Sequence, residues 1–136
     1  MKKPVFFLLI VIAMALVSCS DSNPVLTVEG GQIQGVETPT EGVIAYKGIP
    51  FAAPPLGELR WKEPQPVVPW EGVKVADTYG DAASQTTWDP DSFYGREWQA
   101  SGSVPFTEDC LYLNVWTPAA GKTGQKLPVA MWIHGG

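Results

Sequence analysis

Cysteine and histidine are scarce in this sequence, which limits the chemistry that it can perform. Two cysteines, Cys19 and Cys110, and one histidine, His134, occur among 136 residues. Metal sites use sets of histidine, cysteine or carboxylate ligands at short regular spacings, and no such spacing occurs here. We therefore expect no metal site.

Basic side chains are also few. Nine Lys and Arg residues stand against fourteen Asp and Glu residues, which gives a net charge of −5. An acidic chain lacks the basic face that nucleic acids require and the polybasic patch that anionic lipids attract. The sequence therefore argues against a nucleic-acid partner and against electrostatic membrane binding. Its six tryptophans argue against a disordered chain.

One long apolar run is present, at residues 5–17, directly after Lys2 and Lys3. A membrane-spanning helix needs about 20 apolar residues, so this run has the length of a signal-peptide core instead. It ends in Leu16-Val17-Ser18-Cys19, which resembles a bacterial lipobox, in which the cysteine thiol receives a diacylglycerol. We expect residues 1–18 to be a lipoprotein signal peptide and Cys19 to be lipidated.

Residues 19–24 then form a short flexible tether, and the protein is exported and anchored by lipid to a bacterial membrane. The alternative is an ordinary secretory signal with an incidental cysteine. If Cys19 is acylated, Cys110 has no partner in this chain. Cys110 is then either a buried free thiol, or its partner lies in residues that this chain does not include.

Alternating apolar residues predict several strands. Residues 25–28 and 32–36 flank Glu29-Gly30-Gly31, which is a hairpin signal. Residues 42–47 predict a third strand, and residues 73–76 a short one. Residues 110–117 predict a strand with Leu111, Leu113 and Val115 on one face. The fully apolar residues 129–133 are typical of a strand that is buried on both faces.

Two segments predict ordered loops. Residues 48–70 are rich in proline, which fixes φ and removes backbone donors, so neither a helix nor a central strand fits. Apolar side chains interleaved with the prolines predict a segment pinned to a surface: Phe51, Leu56, Leu59, Trp61 and Trp70. Residues 81–107 show no period, and their aromatic side chains favour a packed loop over a disordered one.

Four stretches together resemble the type-B carboxylesterase and cholinesterase-like family. They are residues 28–35, residues 46–55 leading to Leu59-Arg60-Trp61, residues 108–118 (Glu-Asp-Cys-Leu-Tyr-Leu-Asn-Val-Trp-Thr-Pro), and residues 127–136 (Leu-Pro-Val-Ala-Met-Trp-Ile-His-Gly-Gly). The resemblance implies that residues 25–136 are the N-terminal part of a truncated carboxylesterase type-B domain. The implied fold class is α/β, as the N-terminal portion of an α/β-hydrolase fold. This portion is β-rich, with antiparallel N-terminal strands and the first strands of the main sheet.

The family's catalytic triad is a serine, an acidic residue and a histidine, in that chain order. The resemblance places all three beyond residue 136. No Gly-x-Ser-x-Gly motif occurs, and we interpret Ser101-Gly102-Ser103 as loop. By the same resemblance Gly135 and Gly136 belong to the oxyanion loop, whose backbone N–H groups stabilise the oxyanion, and His134 has a structural role there rather than that of the general base.

The resemblance also implies three features away from the triad. Arg60 and Glu108 form an ion pair that ties the proline-rich loop to the following strand. Cys110 lacks the disulfide of many relatives, because Ala83 stands where the partner cysteine would be. The loop between them borders the active-site gorge in relatives, so four aromatic residues either shape a substrate pocket or simply pack the loop down: Trp88, Phe93, Tyr94 and Trp98.

The resemblance therefore implies that the full-length parent is a carboxylic-ester hydrolase, a serine esterase that acts on a small-molecule ester without metal or cofactor. We expect this fragment to be inactive. The alternative is a non-catalytic, cholinesterase-like surface module for binding or adhesion. A third hypothesis is a free-standing lipoprotein domain, against which the unclosed glycine end of the chain argues.

Overall fold

Short strands account for most of the regular structure in the computed structural model, which describes residues 23–98, 105–120, 122 and 124–133. A three-residue 3₁₀ turn, Gly57–Leu59, and one short helix, α1 (Phe93–Trp98), accompany them. The strands are β1 (Val25–Val28), β2 (Gly31–Gln34), β3 (Val36–Glu37), β4 (Ile44–Pro50), β5 (Val73–Val75), β6 (Ala82–Ala83), β7 (Phe106–Thr107) and β8 (Tyr112–Thr117).

The first sheet has the order β1-β2-β5. β1 and β2 form the predicted antiparallel hairpin, with Val28 opposite Gly31 next to the turn. β5 pairs in parallel with β2, as Gln32 lies opposite Val73. The predicted hairpin is therefore confirmed, although its second strand spans residues 31–34 rather than 32–36. The short strand predicted at residues 73–76 is confirmed and ends at Val75.

Trp70 holds the proline-rich segment against this hairpin. Its backbone N–H donates to the carbonyl of Gly30 at 2.9 Å, and its indole Nε1–H donates to the carbonyl of Gln32 at 2.9 Å. Its ring lies so close to Gly30 that a Cβ there would overlap it. The segment is ordered as predicted. Three of the five predicted anchors contribute little to this, because Phe51 is 51% exposed, Leu56 is 46% exposed and Trp61 is 98% exposed.

The second sheet has the order β3-β4-β8 and is antiparallel. A β-bulge interrupts the β4–β8 register between Tyr46 and Ile49. At the bulge Gly48 adopts a φ of +63°, which glycine tolerates best, and its N–H donates to the Oδ1 of Asn114 at 2.9 Å. The strand predicted at residues 110–117 is confirmed as β8. The third predicted strand is confirmed as β4, which runs on to Pro50.

The core lies where the two sheets meet. Ile33 of β2 and Tyr46 of β4 are almost fully buried and pack with Ile49 and Ala76. Ala76 joins the sheets, because its N–H donates to Gln34 at 2.8 Å and its carbonyl accepts from the N–H of Lys47 at 2.9 Å. A hydrogen-bonded bridge beside buried apolar contacts makes the two sheets one packed unit.

Two sequence expectations about secondary structure were wrong. The loop at residues 81–107 contains the short elements β6, α1 and β7. The predicted buried strand at residues 129–133 is neither a strand nor buried, since Trp132 is 88% exposed and Ile133 is 81% exposed. A doubly buried strand takes its hydrogen bonds and cover from neighbours, and no described residue supplies them.

The predictions for the two ends of the chain lie mostly outside the described residues. The signal peptide, Cys19, His134, Gly135 and Gly136 are all in this group. At the described end of the predicted tether, the Asn23 carbonyl accepts from Gln34 Nε2 at 3.0 Å, and the Pro24 carbonyl accepts from the Tyr46 hydroxyl at 3.3 Å. These two residues therefore belong to the folded part rather than to a tether. Within the described ranges, no helix has the length and apolar character needed to cross a membrane.

Candidate functional site

An ion pair connects the proline-rich loop to the segment before β8. The turn at Gly57–Leu59 is closed by an N–H of Arg60 that donates to the Gly57 carbonyl at 3.2 Å. This turn directs the Arg60 Nη2 to within 2.6 Å of Glu108 Oε1. The structure thus brings together the two residues that the resemblance paired. Their side chains are 56% and 46% exposed, however, so this is a surface pair rather than a partly buried one.

Trp61, which follows the ion-paired arginine, is an outlier that sequence analysis missed. Its φ of +60° lies in the left-handed region that non-glycine residues rarely occupy. Burial of the ring does not offset the cost of this conformation, because 98% of the residue is exposed. No sequence pattern marks this conformation, since tryptophan carries no preference for positive φ.

Three of the four predicted pocket aromatics lie together on the loop after β6. The rings of Trp88 and Tyr94 stack with centroids 4.8 Å apart and planes 27° apart, and Phe93 meets Tyr94 edge to face at 5.6 Å. All three residues are more than half exposed. They therefore form a surface cluster rather than the lining of an enclosed pocket. The side chain of Trp98 lies outside the described residues.

Local hydrogen bonds hold this aromatic cluster. Ser92 caps α1, because its Oγ accepts from the N–H of Gly95 at 3.0 Å and donates to the Asp89 carbonyl at 2.6 Å. The Asp89 carboxylate in turn accepts from the N–H of Asp91 at 2.9 Å. Gly95 faces the Asp89 backbone so closely that any side chain would overlap it. A helix of six residues depends on such contacts, since short helices are marginal by themselves.

The loop between Ala83 and Cys110 carries the aromatic cluster, and we call it the aromatic loop. Its outgoing end lies beside Tyr112, since the Tyr112 ring lies against Gly80. Cys110 is unpaired within the part of the chain that the structure describes, and Ala83 lies in the β6–β7 ladder. Burial raises the pKa of Tyr112 to about 12, and the adjacent carboxylates of Asp109 and Asp81 act in the same direction because they oppose a tyrosinate anion. Tyr112 therefore stays a neutral hydroxyl at physiological pH.

A shallow depression of about 240 Å³ lies between the proline-rich segment and the start of β8. Val67, Trp70, Asp109 and Tyr112 are among its lining residues, and Lys74 places its Nζ 5.5 Å from the centre of the Trp70 ring. None of the clustered aromatics lines this depression. It contains no serine, cysteine or histidine, so we do not assign it a catalytic role.

Among the described residues no group of three or more His, Cys, Asp and Glu side chains is arranged to hold a metal ion. Ser101, Ser103, His134, Gly135 and Gly136 lie outside the described residues. The described portion of the candidate site therefore consists of the ion pair, the aromatic cluster and the contacts that close the aromatic loop.

The comparison with solved structures defines the class of protein. A PNB esterase superposes with a TM-score of 0.66 at 37% identity, over 84% of this chain and 21% of that chain. A thermophilic PNB esterase gives 0.64 at the same identity, over 84% and 22%. The expectation from sequence is thus confirmed: the two sheets are the N-terminal, strand-rich part of an α/β-hydrolase fold.

The sequence comparisons then identify the family. The pattern of the Carboxylesterase family matches residues 22–136. Carboxylesterase 1F of Mus musculus is 41% identical over 126 residues, which are 85% of this chain and 22% of that protein. Cocaine esterase of Oryctolagus cuniculus is 39% identical over 119 residues, with coverage of 85% and 22%. This chain belongs to the carboxylesterase family, and it spans about a fifth of the length of these relatives.

Proposed function

We propose that the protein to which this sequence belongs hydrolyses carboxylic esters of small molecules through a seryl acyl-enzyme intermediate. The single observation that carries the proposal is the family match over residues 22–136, which includes the closing Trp-Ile-His-Gly-Gly stretch. The esterase names of the sequence relatives and of the structural neighbours support the same reaction class. Acyl transfer of this kind uses side chains and backbone donors and requires no cofactor.

In this mechanism the serine oxygen bonds to the ester carbonyl carbon while the histidine accepts the serine proton. The carbonyl oxygen becomes an oxyanion, and its collapse breaks the bond to the alcohol, which leaves with the proton. Water then attacks the acyl-enzyme by the same steps and releases the acid. The serine is assigned to a part of the protein outside these 136 residues, because this sequence has no Gly-x-Ser-x-Gly motif. The acidic residue and the histidine are assigned there too, because they follow the serine in the chain order of the family.

Gly135 and Gly136 are the contribution of this chain to the chemistry. Their backbone N–H groups are proposed to lie in the loop that stabilises the oxyanion, with Gly136 and residue 137 as donors. Glycine suits this role because the backbone must approach the substrate closely. The aromatic cluster of Trp88, Phe93 and Tyr94 is proposed to border the substrate pocket, and its exposed stacked rings support contact with an apolar part of an ester.

The test is an assay of the full-length protein with p-nitrophenyl esters of graded acyl length. We expect hydrolysis, stoichiometric labelling by a serine-directed organophosphate, and a fall in kcat in Gly136→Ala of up to about 100- to 1,000-fold, the cost of losing one donor. The backbone N–H remains in this variant, but the added methyl group hinders its close approach to the oxyanion. The matched control is Gln125→Ala, at an exposed position in the same segment, which should retain wild-type kcat. A folded protein without hydrolysis or labelling would favour the cholinesterase-like binding or adhesion module. The 136-residue chain alone should be inactive.

We also propose that the protein is exported and lipid-anchored at Cys19. The supporting observation is the sequence Leu16-Val17-Ser18-Cys19 at the end of the apolar run. Metabolic labelling with an alkyne fatty acid in a bacterial host should mark the wild type, and Cys19→Ser should abolish the label and release the protein from the membrane fraction. Cys110→Ser is the matched control and should keep both. An unlabelled wild type would indicate an ordinary secretory signal.

A further inference from the structure

The first sheet has one face that is turned away from the core. Directly opposite residues of paired strands share a face of the sheet, and successive residues of one strand alternate between the two faces. Ile33 of β2 is buried in the core, so the row of Leu26, Ile33 and Lys74 marks the inner face. The rows on either side of it form the opposite face, which we call the outer face: Val25, Gln34 and Val75 in one row, and Thr27, Gln32 and Val73 in the other.

The outer face is exposed and carries no ionisable side chain. Its three valines are 45% to 53% exposed, and Thr27 and Gln32 are exposed beside them. None of its six side chains is charged, although the whole chain has 14 acidic residues and a net charge of −5. Because an anionic lipid surface repels carboxylates, a face without them can approach such a surface at the least electrostatic cost.

The described chain begins at the edge of this outer face. The Asn23 carbonyl accepts a hydrogen bond from Gln34 Nε2 at 3.0 Å, and Gln34 belongs to the outer face. Cys19, the proposed site of lipidation, precedes Asn23 by four positions, and four residues span at most about 14 Å. A lipid on Cys19 would therefore hold Asn23, and with it the adjoining row of the outer face, close to the bilayer surface.

We propose that the outer face docks on the headgroup layer of the membrane that holds the Cys19 lipid. The lipid supplies the affinity and the face sets the orientation, because a tethered surface meets the membrane at high effective concentration and weak contacts then suffice. The valine side chains contact the headgroup layer, while Thr27 and Gln32 keep hydrogen bonds with headgroups and water. This inference rests on the proposed lipidation and goes beyond it, since a lipid anchor by itself fixes no orientation.

The test uses the full-length lipidated protein in a Cys110→Ser background, with the dye NBD on single introduced cysteines. Thr27→Cys and Val75→Cys report on the outer face. Lys74→Cys is the matched control, because Lys74 is next to Val75 in β5 but belongs to the inner face. The protein is placed on vesicles of phosphatidylethanolamine and phosphatidylglycerol, with and without a nitroxide on the headgroups. We expect the nitroxide to quench the dye at positions 27 and 75 and to leave the dye at position 74 unquenched.

A charge substitution tests the same docking independently of where the dye is. Val75→Asp should reduce the quenching at position 27, because a carboxylate would then have to approach the anionic headgroups. Lys74→Asp is the control and should leave that quenching unchanged, although it also makes the chain more acidic. Both variants should stay in the membrane fraction, since the lipid supplies the affinity.

The outcomes separate the anchor from the docking. Wild-type protein in the soluble fraction and without lipid would overturn the anchor, and this inference with it. Membrane-bound protein with no quenching at positions 27 and 75, or with equal quenching at position 74, would keep the anchor and overturn the docking. If iodide fails to reach the dye at positions 27 and 75 in Cys19→Ser without vesicles, another part of the protein or a second copy covers the outer face, and the docking is again overturned.

Discussion

At the residue scale, single glycines and hydrogen bonds determine where the backbone can bend. Gly48 is the clearest case, because it combines a positive φ with close backbone neighbours. A Cβ at Gly48 would lie 2.5 Å from the carbonyl oxygen of Thr78, and its N–H is already bonded to Asn114. Backbone atoms cannot rotate away as a flexible side chain can. The bulge in β4 therefore depends on glycine at this position.

We predict that Gly48→Ala lowers the free energy of unfolding by about 2–4 kcal/mol, through left-handed strain and steric overlap together. Gly42→Ala is a matched control, because Gly42 also has a positive φ but its Cβ would meet nothing within 4 Å. That control should cost only about 1 kcal/mol. Urea denaturation of both variants measures the difference, and equal losses would contradict the role of the Thr78 carbonyl.

At the element scale, β8 connects the second half of the described chain to the first, because it pairs with β4. Its register with β4 is the most extensive pairing in the described chain, from Ile44 opposite Thr117 to Pro50 opposite Tyr112. The residues just before β8 include Glu108 of the ion pair and Thr107, which contacts Asp81 and pairs with Ala83 at the end of the aromatic loop. The proline-rich loop, through the ion pair, and the aromatic loop, through Gly80 and Tyr112, therefore both contact the N-terminal end of β8 or the residues just before it.

The ion pair at this end should contribute little to stability. We predict that Arg60→Ala lowers the free energy of unfolding by less than about 1 kcal/mol, because both side chains are about half exposed. The loss should shrink further in 1 M NaCl, where the screening length is about 3 Å. Arg60→Lys, which keeps the charge, is the control. A loss above about 2 kcal/mol that persists in salt would show that the pair is desolvated.

At the scale of the whole molecule, buried and exposed apolar residues are unevenly distributed. The core is a small cluster between the two sheets, centred on Ile33 and Tyr46. A second apolar group, at residues 127–133, lies outside any helix or strand, and its large side chains are exposed. Apolar side chains of the first group stabilise the fold, because they are removed from water. Those of the second group contribute little, because they remain exposed.

Replacing isoleucine by alanine at one buried and one exposed position tests this difference in stabilisation. We predict that Ile33→Ala costs about 2–4 kcal/mol, since Ile33 is 2% exposed and leaves a cavity. Ile133→Ala should change the free energy of unfolding by less than about 0.5 kcal/mol, since that residue is 81% exposed. Thermal or urea unfolding of this chain measures both. Comparable losses at the two positions would show that residues 127–133 are packed in solution.

Much of the fold could be predicted from local patterns in the sequence. The hairpin of β1 and β2, the strand β8 and the ordered proline-rich loop follow from alternation, glycine turns and the chemistry of proline, which act over a few residues. The four family-like stretches predicted the carboxylesterase family and the α/β-hydrolase fold, and both are confirmed. The Arg60 and Glu108 contact was implied by the same resemblance, because local patterns do not encode a partner 48 positions away.

Other features were decided only by the tertiary structure. Trp70 pins its loop and Trp61 does not, although both lie in the same proline-rich segment, because only Trp70 meets the glycines of the hairpin. The contacts between residues 80–83 and residues 105–112 join segments that are distant in sequence, and no period in either segment indicates them. Residues 129–133 have the composition of a buried strand and yet are exposed. Composition sets the preference of a segment for burial, whereas burial itself depends on which neighbours the folded chain places beside it.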